Sequence, residues 1–391
     1  MSVNTMDFEQ AATLLNAVHS QVTGTAQVAP TDVSSFISVA QKTLAAGYDP
    51  VLNAISQVVG RTIFSVRPYN AKFGGIQADS QKWGAITRKV VMSDKPLQDN
   101  KAFDLVDGQS IDMYEVNKPQ PLQVNFYGAL MFSKSYTIFR NQLDNAFKGP
   151  EEFARFMEAV TQNAYDMIEQ TKESAARLCL GNFMAGKIAA SADVIHLLTE
   201  YNTETGANPA YTATTIKDPA NFPAFIKWAY ARIATLSNMM TERSSLYQTQ
   251  LTGYDINRHT PFERQKVYLL NWLLNNIDAR VLADTYNYKF LEFADVEPVN
   301  YWQAIEDPDE INITPTYLQA DGTLTVAQAS VNQDAIMGVI FDEEALGYTI
   351  FNEFTGVTPL NPRGEYWNMF MNYVIRYWND FTEKGLVLLL D

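Results

Sequence analysis

Cysteine occurs once in the 391 residues, as Cys179, so no internal disulfide can staple the chain. Histidine occurs three times, as His19, His196 and His259, without paired metal-ligand spacing, which excludes a Cys/His zinc site and an HExxH motif. The longest apolar run, Leu386-Val387-Leu388-Leu389-Leu390, has five residues, far short of the ~18 that a membrane-spanning helix needs. Bases are scarce: 29 Lys+Arg face 44 Asp+Glu, for a net charge of −15 and a pI near 4.7. That balance argues against a surface built to grip phosphate backbones. The opening MSVNTMDFEQ has no basic or apolar leader region, so no targeting segment is expected. The expectation is an acidic, soluble protein made inside the cell.

Apolar residues make up 47% of the chain, with 22 Phe, 20 Tyr and 6 Trp, which excludes general disorder. The length fits two or three domains, or one core with long insertions. Charge is unevenly placed. From Arg61 to Lys101, eight bases meet three acids, a local +5 that leaves −20 for the rest. From Glu292 to Glu310 there are seven acids and no base. Either both stretches are ordinary solvated loops, or they let copies of the chain bind one another by charge complementarity.

The first 60 residues read as three short helices. Thr5–His19 and Asp32–Ala46 carry apolar residues at helical spacing, with Gly47 as a C-cap. Asp49-Pro50 opens a third helix that Gly60 ends. None is long enough to stand alone, which suits an extended arm that docks elsewhere. Residues 61–127 turn β-rich, with Gly74-Gly75, Gly84 and Gly108 and alternation through Ile86, Arg88, Val90 and Met92. A two-stranded excursion has too little core of its own and needs a partner. Gly149-Pro150-Glu151-Glu152 then starts a long one-sided helix predicted to end at Gly181, about 45 Å long at 1.5 Å per residue. Further helices are expected over Phe222–Met240 and Phe262–Ile277. Strands are expected over Ile336–Phe341 and Tyr348–Asn352, flanking a one-turn helix at Asp342-Glu343-Glu344-Ala345. In the C-terminal segment, Tyr366, Phe370, Tyr373, Tyr377 and Phe381 invite a helix, but Trp367, Met369, Met371, Tyr373, Ile375 and Tyr377 alternate and favour a strand.

Chemistry is scarce. Gly181–Lys187 approaches the phosphate-loop pattern, but Ile188 stands where a Mg²⁺-binding hydroxyl is required, and a helix rather than a strand precedes it. A helix C-cap is the better reading. No nucleophile elbow or Cys/His signature occurs. The acidic run 292–310 lacks the order of a calcium loop. No catalytic residue, metal site or cofactor is assigned, which favours a structural protein.

The order of parts is similar to that of tailed-bacteriophage major capsid proteins with the Hong Kong 97 type fold. The segment Leu143 to Gly181 and the ending MGVIFDEEALGYTIF…NPRGEYWNMF carry the resemblance. It implies an α+β fold: an N-terminal arm (1–60), an E-loop β-hairpin (61–120), a P-domain with a long spine helix on an antiparallel sheet (121–200), an A-domain (201–330) and return P-domain strands (331–391). It also implies self-assembly into hexamers and pentamers of an icosahedral head around double-stranded DNA, held by weak non-specific contact. In that family the E-loop lies over a neighbour's P-domain. Candidate intersubunit contacts are therefore Arg67, Lys72, Lys82, Arg88, Lys89 and Lys95 on one side. Glu151, Glu152, Glu158, Asp166, Glu169 and Glu173 stand on the other. A separate scaffolding protein, a portal and decoration proteins are implied partners, with assembly in the host cytoplasm and no membrane. Two rival classes fit the same residues. One is a soluble enzyme such as a glycoside hydrolase using carboxylates of 292–310; the other is a different virion part, a portal or decoration protein.

Overall fold

A computed structural model describes residues 8–25, 32–59, 72–78, 87–94, 107, 114, 118, 120–126, 129–277, 279 and 296–391. In chain order it holds α1 (Phe8–Thr23), α2 (Val33–Ala45), α3 (Tyr48–Val59), β1 (Thr87–Met92), β2 (Pro121–Phe126) and β3 (Leu130–Phe139). Then come α4 (Arg140–Ala146), α5 (Pro150–Ala189), β4 (Val194–His196), α6 (Leu197–Thr205) and α7 (Phe222–Thr241). The remainder is β5 (Gln265–Leu270), α8 (Asn271–Ile277), β6 (Val296–Val299), β7 (Ile311–Ile313), β8 (Thr316–Leu318), β9 (Leu324–Val326) and β10 (Val331–Gln333). The chain closes with β11 (Ile336–Asp342), β12 (Leu346–Val357), β13 (Tyr366–Asn379) and β14 (Gly385–Leu389).

The N-terminal segment is not extended. Asp32 caps α2, its carboxylate accepting from Ser35 N at 2.7 Å, and Gly47 follows the helix with φ +112°. Leu15, Val18, Phe36, Ala40, Val51 and Ile55 are buried against Leu143, Phe153 and Met157 of α4 and α5 and Trp367 and Met369 of β13. Each helix has a single apolar stripe, and the nearest apolar surface able to cover it belongs to its own chain. The expected helix start at Thr5 and the Gly60 stop lie outside the described residues.

Helix α5 has 40 residues, about 60 Å at 1.5 Å per residue, rather than ending at Gly181. Its first turns belong to the N-terminal core, while Ala175 to Ala185 enter a second core with α6, α7, β5, β11 and β14. Gly181 and Gly186 are packing positions and not stops. A Cβ at 181 would collide with Ile313 Cδ1, and one at 186 would stand 2.6 Å from Phe381 Cζ. These contacts offset the ~1 kcal/mol that a helical glycine costs.

Two sheets flank the helix. The antiparallel sheet β12-β13-β3 buries Trp367, Met369, Met371, Tyr373 and Ile375 on one face. The alternation of period two is therefore a strand, as the spacing predicts. The mixed sheet β4-β14-β11-β5-β6 forms the second core. Here the predicted helix over Phe262–Ile277 is wrong. A 3-10 turn at Phe262–Arg264 leads into β5, and only Asn271–Ile277 is helical. β5 is hydrogen-bonded on both sides, and Val267, Tyr268, Leu269 and Leu270 are all buried. A strand covered on both faces shows no alternation, so its apolar run reads like a buried helix. The expected one-turn helix at 342–345 is a turn closed by Ala345 N donating to Asp342 O at 2.8 Å, with Asp342 Oδ1 accepting from Glu344 N.

Candidate functional site

The basic excursion is a hairpin in which Arg88 faces Asn125, Lys89 faces Val124 and Val90 faces Gln123. Alternation splits its two adjacent bases. Arg88, Val90 and Met92 point outward, Val90 59% and Met92 49% exposed. Lys89 points inward. Its ammonium lies 3.0 Å from Asp380 Oδ2 and 3.1 Å from Glu344 Oε2, and pairs closely with Glu383 Oε1. Arg258 reaches the same Glu383 Oε1 at 3.0 Å, and Arg264 bridges Glu343 and Glu344. Burial opposes the charge on Lys89, but Asp380 and Glu383 outweigh it and hold the ammonium above the ordinary lysine value. Burial likewise opposes the Glu344 carboxylate, yet Arg264 and Lys89 pull it below the usual range. The hairpin end is tied down by Asp94, which pairs with Arg243 at 2.6 Å and accepts from Asn257 N at 3.0 Å.

The acids of α5 divide in the same way. Glu151 is exposed in the first turn, Glu152 is exposed beside Arg155, and Glu158 and Asp166 are half-buried. Glu169 and Glu173 are buried in ion pairs of their own helix, with Lys172 at 2.6 Å and Arg177 at 2.7 Å. Arg177 is a hub. Its guanidinium stacks 3.7 Å from the Tyr301 ring centroid and 4.8 Å from that of Phe73, and it donates to the Tyr301 and Trp302 carbonyls. Glu173 also accepts from Lys72 N at 3.4 Å, so residues 72–78 are pinned to the helix while the Lys72 side chain stays exposed.

Of the candidate contacts read from the sequence, Lys89, Glu169 and Glu173 are therefore occupied within the chain. Lys72, Arg88 and Glu151 are exposed, and Arg67, Lys82 and Lys95 lie outside the described residues. The sequence reading missed Arg177, Arg258, Asp380 and Glu383. The i,i+4 spacing of Glu173 and Arg177 was a usable signal. So were Asp380 and Glu383, charges standing just before the chain's longest apolar run.

Lys187, the base of the phosphate-loop near-match, is 1% exposed in the last turn of α5 and pairs with Asp193 at 2.6 Å. Burial pushes the Cys179 thiol up to about 12, making it an inert core group. Among the described residues, no group of three His, Cys, Asp or Glu side chains is placed to hold a metal. No helix of the described residues is long and apolar enough to cross a membrane. The outer face of β12-β13-β3 leaves Met131, Phe354 and Phe370 exposed beside hydroxyl and amide side chains.

Comparison with known proteins agrees with this architecture. No curated protein matches the sequence. A chain in the capsid structure of Staphylococcus phage Andhra superposes with TM-score 0.56 at 11% identity, covering 84% of this chain and 87% of that one. A chain in the structure of head fiber and inner core protein gp22 of native bacteriophage P68 gives TM-score 0.55 at 11% identity, covering 84% and 87%. These likenesses show the fold, that of tailed-phage capsid structures. The family model for Phi29-like phage major capsid proteins matches residues 13–381. The chain belongs to the Phi29-like phage major capsid protein family, and its role is structural, as a building block of the phage head.

Proposed function

We propose that the chain assembles into hexamers and pentamers of an icosahedral head enclosing double-stranded DNA, and that the outward face of the basic hairpin meets a neighbouring copy. The observation that carries this reading is the exposure of Arg88, Val90 and Met92 on one face of a two-stranded element. Such a face, with two apolar side chains and one positive charge beside the Gln123 and Asn125 amides, suits the interface between subunits of opposite local charge. The exposed first turn of α5, with Glu151 and Glu152, is the complementary surface, and the exposed Lys72 side chain belongs with Arg88 on the basic side. Two different complementary patches on one subunit make a heterologous contact, the kind that closes into rings.

Under this reading, residues 1–60, 61–120, 121–200, 201–330 and 331–391 correspond to the arm, E-loop, P-domain, A-domain and return strands. The protein is not an enzyme. The acidic total keeps contact with packaged DNA weak, because each basic phosphate contact adds salt-dependent affinity. A separate scaffolding protein, a portal and decoration proteins complete the particle, which forms in the host cytoplasm. The test is Arg88→Glu, with shell yield followed by light scattering and sedimentation at low and high salt. Each exposed pair is worth about 0.2–1 kcal/mol, so the loss of yield comes from repetition around the shell and is greatest at low salt. Normal shells with unchanged salt dependence would remove Arg88 from the interface.

A further inference from the structure

We propose that Lys89 is an internal latch that seats the basic hairpin on the Asp380–Glu383 turn of its own chain, so that the presentation of Arg88, Val90 and Met92 is set by an electrostatic contact that can open. This rests on the reading of that outward face as an assembly surface, and gives its regulation.

Asp380 and Glu383 are 1% and 4% exposed, so both carboxylates depend on partners within the protein. Asp380 Oδ1 accepts from Thr382 N at 2.9 Å and from Thr382 Oγ1 at 2.6 Å. Among the described residues, the Lys89 ammonium at 3.0 Å is the one partner of its buried Oδ2. Glu383 has Arg258 as a second cation, whereas Arg264 is spent on Asp342, Glu343 and Glu344. Lifting the hairpin would leave Asp380 facing no cation within ion-pair distance among the described residues.

Apolar burial on the hairpin's side is slight. Among its described side chains none is fully buried, and Val91, Leu122, Val124 and Phe126 are half-buried on the inward face. Among the described residues, its further polar ties include Asp94 with Arg243 and the 255–257 backbone, at the strand end. An element held along its body by one buried charge cluster and little apolar area, and otherwise tied at the strand end, has two available poses, seated and lifted, and the cluster decides between them.

Hydrogen–deuterium exchange on the full-length, unassembled chain tests this. In Lys89→Met, amides of β1 and β2 should exchange at least tenfold faster than in the wild type, while those of β11 and β14 keep their protection. Arg88→Met, one residue away and outward, should leave the hairpin unchanged. Adding Asp380→Asn to Lys89→Met, which removes the stranded charge but can keep the Thr382 bonds, should not slow the hairpin again, since nothing remains to seat it. It should raise the protection of residues 378–384. Wild-type hairpin protection in Lys89→Met overturns the latch. So does equal loss in Arg88→Met, or loss throughout β11 and β14, which would make Lys89 a core group. A freed hairpin in Lys89→Met together with normal shells from Arg88→Glu would retain the latch and reject the interface.

Discussion

The Lys187 ammonium lies 2.6 Å from Asp193 Oδ2 and 3.3 Å from the Tyr247 carbonyl, sealed beneath the last turn of the 40-residue helix. This pair answers the question that Gly181–Lys187 raises: the lysine serves the fold and is closed to a nucleotide. Removing one partner of a buried pair costs about 3–5 kcal/mol. Lys187→Ala should therefore shift the denaturant midpoint strongly, and Lys187→Met less. A midpoint unchanged in Lys187→Ala, or ATP affinity that this variant loses, would reject the structural role.

Gly186→Ala separates a packing glycine from a helix stop. Helix propensity alone predicts a gain of about 1 kcal/mol. The new methyl, however, would sit 2.6 Å from Phe381 Cζ and 3.1 Å from Tyr317 Cβ. Overpacking of this kind costs about 1–3 kcal/mol. Net destabilisation in a chemical melt is expected, and stabilisation would show that the helix end gives way.

The central sheet gives a paired test. Tyr373 is 8% exposed on the face toward the N-terminal core, whereas Asn372 lies on the opposite face, across from Ser133 and Phe354. Tyr373→Asp buries a charge among Met369, Met371 and Trp367 and should cost several kcal/mol or abolish folding. Asn372→Asp should stay within about 0.5 kcal/mol. Equal effects, read by denaturation, would mean that the two faces are not distinct.

His19 supplies a pH dependence. It is buried between α1 and α2, where its Nδ1 donates to Thr43 Oγ1 at 2.7 Å while that hydroxyl donates to Val39 O. Burial first, and then the Lys42 charge, lower its pKa below the ordinary value near 6.5. The unfolded chain then binds more protons than the folded one in the window below 6.5, so this contribution is complete above that pH and is lost as pH falls through it. Thermal melts at pH 7.5 and pH 5, run on the wild type and His19→Asn, should show a smaller acid loss in the variant. An identical loss would clear His19 of the effect.

Much of the architecture was legible because one face of each element is solvated. The stripes of α1 and α2 and the odd positions of β13 show their periods plainly. Legibility failed at β5, where both faces are covered and alternation disappears, and at Gly181 and Gly186, where close packing imitates a stop signal. It failed again at the site. Arg88 and Lys89 are indistinguishable as neighbouring bases, and only the pairing of β1 with β2, together with the position of the Asp380–Glu383 turn, sends one outward and the other in. Those contacts span about 290 residues of sequence, as between Lys89 and Glu383. No local pattern encodes them.

Electron microscopy of the purified full-length chain at high concentration, with and without co-expressed scaffold, tests the central claim most directly. A capsid building block should appear as closed shells, or as capsomers of five and six subunits that shells release. A monodisperse monomer under every condition, or a closed twelve-membered ring of portal type, would contradict the account.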